Sequence, residues 1–218
     1  MAEVGAFYRT AVGKKAVMAA TGVVLVLFLV GHLLGNLQIF LGPERINRYA
    51  AFLKSTGELL WIVRGVMLLA VLLHIVTAAL LVLANWRARP VGYAVKKDQE
   101  TTYAARTMIV SGPLILLYVV YHLLMFTFLK TPPGLSETDV YSNVVQAFQV
   151  PLISGVYIVA MVALGFHLWH GLWSMLQSLG LSHPAYNRAR KVVAAVVAVL
   201  IAAGYISIPV SVLLGIVH

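Results

Sequence analysis

The sequence contains no cysteine in 218 residues. That excludes a cysteine-ligated iron–sulfur cluster, thiolate chemistry and covalent c-type heme attachment within this chain. Charge is nearly as scarce. Asp, Glu, Lys and Arg together make up 11% of the residues, and seven acidic side chains face sixteen basic ones. An ordinary soluble domain is therefore ruled out. No run of residues sustains period-two alternation over a β-barrel strand. Polar connections long enough to hold a soluble module are also missing, so residues 1–218 are predicted to form a single transmembrane domain.

What the chain has is apolar length. Hydrophobic residues make up 61% of it, and five long apolar segments span about 16–41, 60–84, 106–129, 150–180 and 192–217. Each meets the ~20 residues that a helix needs to cross ~30 Å of hydrocarbon. The predicted fold class is all-α: five transmembrane helices in a bundle. The first segment follows Arg9, Lys14 and Lys15 as a signal peptide would, but it is too long for a signal h-region and no small-residue cleavage pattern closes it. Pro132-Pro133-Gly134 reads as the stop of the third helix, and Gly180 with Pro184 as that of the fourth. The polar connection 42–59 is a candidate for a short interfacial helix. Trp61, Trp86, Tyr93, Tyr141 and Tyr186 fall near predicted interfaces, where aromatic belts are ordinary.

Basic residues set the orientation. With the N-terminus inside, eleven fall on the inner side (Arg9, Lys14, Lys15, Arg87, Arg89, Lys96, Lys97, Arg106, Arg188, Arg190 and Lys191). Four fall outside (Arg45, Arg48, Lys54 and Lys130), and Arg64 stands at a helix mouth. Five spans then place the C-terminus outside, in a cytoplasmic (inner) membrane. The net charge of +9 lies mostly on the inner face, where it meets anionic membrane lipid or an acidic protein partner rather than nucleic acid.

Seven histidines are present, and five of them, His32, His74, His122, His167 and His170, lie inside apolar segments. His183 and His218 are read as solvated. An imidazole in hydrocarbon needs a partner to offset its desolvation. Four helices each carry at least one, with no intramembrane lysine, which points to a shared prosthetic group. Heme suits this pattern: two neutral imidazoles on facing helices hold one iron from both sides while the apolar macrocycle fills the core. Zinc would ask for carboxylates or thiolates that are not available at this depth. Counted from the inner ends at 1.5 Å per residue, His32 and His122 each lie ~24 Å up and form an outer layer. His74 lies ~16 Å up, with His167 at ~20 Å and His170 at ~15 Å, so depth alone leaves open which of the last two pairs with His74. No helix has two histidines about thirteen residues (~20 Å) apart, so no helix serves both hemes. One ligand from each of the first four helices remains, and the fifth supplies packing. Gly31 and Gly35 flank His32, and Gly165 and Gly171 flank His167 and His170; such glycines admit a neighbouring helix or a macrocycle.

The HLLGN of the first helix, one histidine in each of helices one to four, the H-x-x-x-G-L-W-S frame of His167 to Ser174 and the basic inner loops together resemble a known family. It is the di-heme cytochrome b membrane anchor of bacterial succinate:quinone oxidoreductases, the succinate dehydrogenases and fumarate reductases with a five-helix, single-chain anchor. The resemblance implies a distal heme b on His32 and His122 and a proximal heme b on His74 and His167. It makes His170 a neighbour of the ligand set, bonded to a propionate or a backbone carbonyl, with helix-to-helix hydrogen bonding an equal alternative. It further implies a flavoprotein subunit with FAD that oxidises succinate in the tricarboxylic acid cycle. An iron–sulfur subunit on the cytoplasmic face and a quinone, often menaquinone, as electron acceptor complete the system. This chain would then be an oxidoreductase subunit without flavin chemistry of its own, with quinone reduction as its share. The basic stretches 85–106 and Arg188 to Lys191 become candidates for docking or for heme propionates.

Near the distal heme, Glu58 is the candidate for exchanging protons with quinone. Asn36 and Gln38 are candidates for bonding a quinone carbonyl. Some relatives carry a glutamate two residues before the fourth-helix ligand; Gly165 stands there, which removes that route for protons. Two alternatives compete: the heme b anchor of another membrane enzyme, such as formate dehydrogenase or hydrogenase, and a heme-free proton-coupled transporter. The ligand distribution and the GLWS frame disfavour the first, and the lack of further intramembrane carboxylates disfavours the second.

Overall fold

A computed structural model describes residues 7–88 and 103–218. Arg89, Tyr93, Lys96 and Lys97 lie outside the described residues. The long helices are α1 (Ala11–Asn36), α3 (Glu58–Ala88), α4 (Tyr103–Phe126), α6 (Pro151–Ser178) and α7 (Asn187–Leu213), and two short ones, α2 (Pro43–Ser55) and α5 (Val140–Phe148), lie between them. Five helices are long and apolar enough to span a membrane, so the fold is an all-α membrane bundle.

Each helix begins where the local chemistry lets it. The Thr10 side chain accepts from the Gly13 N–H at 2.9 Å and caps α1, which starts five residues before the apolar run does. Lys14 and Lys15 ride on this first turn because their long side chains reach back to the interface, and Lys14 Nζ donates to the Arg9 carbonyl at 2.8 Å. Helix α7 likewise begins at Asn187 rather than near 192 and takes Arg188, Arg190 and Lys191 into its first turns. At 31 residues, ~46 Å, α3 exceeds the hydrocarbon thickness at both ends.

Of the two stops that proline and glycine mark in the sequence, one is displaced. Helix α4 stops at Phe126, well before Pro132-Pro133-Gly134. Its last carbonyls are already satisfied by Phe128 N–H on Leu123 O and Lys130 N–H on Leu124 O, both at 2.9 Å, while Leu129 turns the chain at φ 50°. Helix α6 ends at Ser178, just before Gly180, as its sequence suggests. Gly180 takes φ 80°, and Leu181 N–H reaches back to Leu176 O at 2.9 Å.

The connections from α1 to α3 and from α4 to α6 each contain a helix; α2 lies in the stretch 42–59 where a short helix was expected, and α5 is additional. Asp139 caps α5, accepting from Ser142 N–H at 3.0 Å and Ser142 Oγ at 2.6 Å. Asn47 on α2 donates to Asp139 Oδ1 at 2.9 Å and accepts from Tyr141 N–H at 3.0 Å, which ties the two short helices together. The Ser142 hydroxyl and amide and the Asn47 amide hold the Asp139 carboxyl below its ordinary range.

Helix α1 packs against α3, α6 and α7, and α6 packs against α4 and α7. Neither α1 with α4 nor α3 with α6 forms a packed interface. One apolar cluster under the short helices joins Ile39, Met125, Phe148, Tyr157 and Ile208. A second, deeper in the bundle, joins Met161, Leu164, Leu168, Ala198 and Ile201. Most other large apolar side chains, such as Leu68, Leu117 and Val199, point outward, as lipid-facing residues do.

Candidate functional site

The histidines sit at two depths. Measured from the helix ends at Ala11, Tyr103, Ala88 and Ser178, His32 and His122 lie ~31 and ~28 Å along the axis, and His74 and His167 ~21 and ~16 Å. At the level farther from those ends the rings of His32 and His122 are 5.8 Å apart, nearly perpendicular at 84°. At the nearer level those of His74 and His167 are 6.4 Å apart and inclined at 52°. The paired helices are α1 with α4 and α3 with α6, the same combinations that do not pack on one another. Imidazoles are what each pair places across its gap.

Hydroxyls fix three of the four rings. Thr21 Oγ1 lies 3.1 Å from His74 Nδ1 and gives its own hydrogen to the carbonyls of Val17 and Met18 at 2.9 and 3.0 Å. A hydroxyl has one hydrogen, and with it on a carbonyl the oxygen accepts from His74 Nδ1–H, the tautomer that leaves the Nε2 lone pair free. Ser111 Oγ, buried on α4, lies 3.3 Å from His167 Nδ1. Tyr157 OH lies 3.2 Å from His122 Nδ1 and also reaches Met125 Sδ at 3.4 Å, so it can donate to sulfur and accept from the imidazole. Among the described residues His32 is held by rings instead: it stacks on Phe28 at 5.4 Å and meets Tyr205 at 6.2 Å. The Tyr205 hydroxyl is anchored on Leu29 O at 2.8 Å. Tyr118 and Phe126 complete an aromatic wall around His122.

His170 has a different setting. Its ring turns to Trp173, edge-on at 5.3 Å, and its buried Nδ1 has no hydrogen-bond partner among the described residues. Trp173 is also approached by Arg190 and Lys191, at 5.9 and 5.4 Å from its ring centre. Arg190 is buried, donates to Leu181 O and to the Asn187 side chain, and among the described residues leaves Nε without a partner.

The remaining candidates spread out. Asn36 Nδ2 donates to the His32 carbonyl at 2.7 Å, so this amide is engaged within its own helix. Gln38 is half-buried in the 3₁₀ turn Leu37–Leu41, and Glu58 is exposed as the first residue of α3. His183 is exposed, but its Nδ1 accepts from Ala185 N–H at 3.2 Å and starts the turn before α7. The His218 carbonyl accepts from Tyr141 OH at 3.1 Å.

The flanking glycines do not act alike. A Cβ on Gly35 would stand 2.7 Å from the Tyr49 ring of α2, and one on Gly165 would stand 3.3 Å from Ala202 Cβ of α7. Gly31 and Gly171 meet nothing within 4 Å. Position 165 thus faces α7.

Sequence reasoning missed Thr21, Ser111 and Tyr157. Their signal was weak, since Ser, Thr and Tyr in apolar helices commonly bond their own backbone or the interface. Gly22 was also missed; a Cβ there would come within 3.9 Å of His74 Cε1.

The family model for the succinate dehydrogenase/fumarate reductase transmembrane subunit matches residues 87–206. The chain belongs to that family. No curated protein and no solved structure gives a significant match. The matched stretch contains α4 and α6 with His122 and His167, whereas His32 and His74 lie N-terminal to it. Membership makes the chain a multi-pass membrane subunit of an oxidoreductase complex, associated with that complex's catalytic subunits.

Proposed function

We infer that this transmembrane subunit is the di-heme cytochrome b anchor of a succinate:quinone oxidoreductase. His32 and His122 would hold the distal heme b, and His74 and His167 the proximal one. The observation that carries this is the pairing of histidines across helices that do not pack together, with Nδ1 of three of them engaged by a hydroxyl.

The donor set fits the group. Each pair supplies two imidazoles, and among the described residues no cluster of three or more His, Cys, Asp or Glu forms. Two imidazole donors from the chain would suffice for an iron whose remaining ligands come from a macrocycle. A hydrogen bond at Nδ1 fixes the ring's tautomer and orientation and raises the basicity of Nε2, as for metal-bound imidazoles generally. When bound, the two hemes supply one-electron carriage between an iron–sulfur subunit and a quinone such as menaquinone.

The chain's own residues then have separate tasks. Thr21, Ser111 and Tyr157 orient the ligands, while Phe28, Tyr118, Phe126 and Tyr205 keep water from the outer pair. Glu58, exposed at the outer mouth of α3, exchanges protons with the quinone, and Gln38 is the nearer candidate for its carbonyl because Asn36 is already engaged. The distribution of basic residues supports an N-terminus in the cytoplasm, where the iron–sulfur and flavoprotein subunits dock, and a C-terminus outside the cytoplasmic membrane.

A dithionite-reduced minus oxidised spectrum of the purified chain, with pyridine hemochrome quantification, tests this. Two b hemes per chain are expected. A folded, helical preparation free of heme would overturn the proposal, and co-purification of a flavoprotein would assign the succinate system.

A further inference from the structure

A groove runs along the seam of α6 and α7, and none of the four paired histidines lines it. It consists of two adjoining cavities. The one at the basic end, 460 Å³, is lined by Trp169, Trp173, Asn187, Arg188 and Lys191 among others. The other, 430 Å³, follows Gly165, Ala195, Ala198, Ala202 and Ile206. Trp169 and Ala195 line both, so the two cavities adjoin along the same seam. The walls include Val162, Val192 and Val199, exposed by 46%, 54% and 65%, so the groove opens on the bundle's outer surface.

The groove is polar at one end and apolar along its length. Arg188, Lys191 and Asn187 supply the polar groups, all on the first turns of α7. Buried Arg190 positions that end from behind, lying over Trp173 and bonding the Asn187 side chain. From Ala195 to Ile206 the apolar part runs ~16 Å along α7, about half the ~30 Å hydrocarbon core and so the depth of one leaflet.

We propose that this groove binds one anionic phospholipid of the leaflet at the basic end. Arg188, Lys191 and the Asn187 amide hold the phosphate, and one acyl chain lies along Ala195, Ala198 and Ala202. Charge complementarity and length select this occupant. Basic pockets between spanning helices on the inner side attract anionic headgroups. A neutral quinone head has no use for two cations. An acidic protein segment would meet the cations but not the apolar groove, and a second copy in the same membrane would bring like charges together at the same depth. The proposal is independent of the heme assignment.

Native mass spectrometry of the full-length chain in mild detergent, titrated with dioleoylphosphatidylglycerol or dioleoylphosphatidylcholine, provides the test. The wild type should retain one phosphatidylglycerol in preference to phosphatidylcholine. The double variant Arg188→Gln/Lys191→Gln should lose that preference by roughly 30-fold, at the usual contribution of each cation near a membrane surface. Ala195→Phe, which fills the groove and leaves the cations in place, should release both lipids. Equal retention of the two lipids by the wild type overturns the proposal, as does phosphatidylglycerol binding that survives both variants. Dimerisation that excludes lipid, or displacement of lipid by a neutral quinone analogue, also overturns it. If one variant is not helical by circular dichroism, the other variant and the wild-type comparison decide.

Discussion

Thr21→Val isolates the hydroxyl behind His74. Valine matches threonine in shape, so the change removes the oxygen that accepts from His74 Nδ1 at 3.1 Å and leaves the packing of α1 on α3 unaltered. A buried N–H left without an acceptor costs about 1–3 kcal/mol. Placed on ligand affinity this is about 5- to 150-fold, in line with the 10–100-fold typical of residues behind a metal ligand. The lost bond also makes Nε2 a weaker donor, which disfavours ferric iron more than ferrous iron. A differential of ~1 kcal/mol raises a one-electron potential by ~40 mV. A redox titration of the purified chain followed at the heme α-band should therefore show one potential raised by about that amount and the other, of the heme proposed for His32 and His122, unmoved. Thr21→Ser should restore the original value. A shift in both potentials, or none in Thr21→Val, would refute the assigned role of Thr21 behind a proximal ligand.

Three further outcomes are expected. His167→Ala should lower heme content from the proposed two b hemes per chain to one, whereas His170→Ala should keep both, measured as pyridine hemochrome; loss only in the second would transfer the ligand role to His170. Gly35→Ala should lower thermal stability in detergent by about 1–3 kcal/mol, because its Cβ meets the Tyr49 ring, while Gly65→Ala, which meets nothing within 4 Å, should be neutral or slightly stabilising. Asp139 has its pKa depressed in the folded protein, so its contribution is complete above the ordinary carboxylate range and is lost as pH falls through the lowered value. Hydrogen exchange in Val140–Phe148 should accelerate on acidification in the native protein. In Asp139→Asn it should be less dependent on acid, and an unchanged acid response would remove the carboxylate from that role.

Much of this was legible in the chain. Five spans follow from apolar runs because the bilayer sets one length scale that any spanning helix must meet. The histidines stand out because ionisable side chains are rare in hydrocarbon, and the GLWS frame around His167 pointed to the family to which the chain belongs. Helix α5 was not legible: VYSNVVQAF is nine residues long and is fixed by Asp139 and by Asn47, which is 92 positions earlier than its aspartate. The end of α4 was misplaced for a related reason, since hydrogen bonds to Leu123 and Leu124, rather than the prolines, close it.

Taken alone, the sequence determined the solvent, the number of crossings and the residue type at the core, since each depends only on composition and local spacing. Tertiary structure decided which imidazole turns to which. His167 and His170 lie at depths that both suit His74, and only the packing of α6 between α4 and α7 points the ring of His167 at His74 and that of His170 at Trp173. The hydroxyls of Thr21, Ser111 and Tyr157 come from helices other than those of the rings they meet. Contacts of that kind are set by how helices pack, and no spacing within a single helix encodes them.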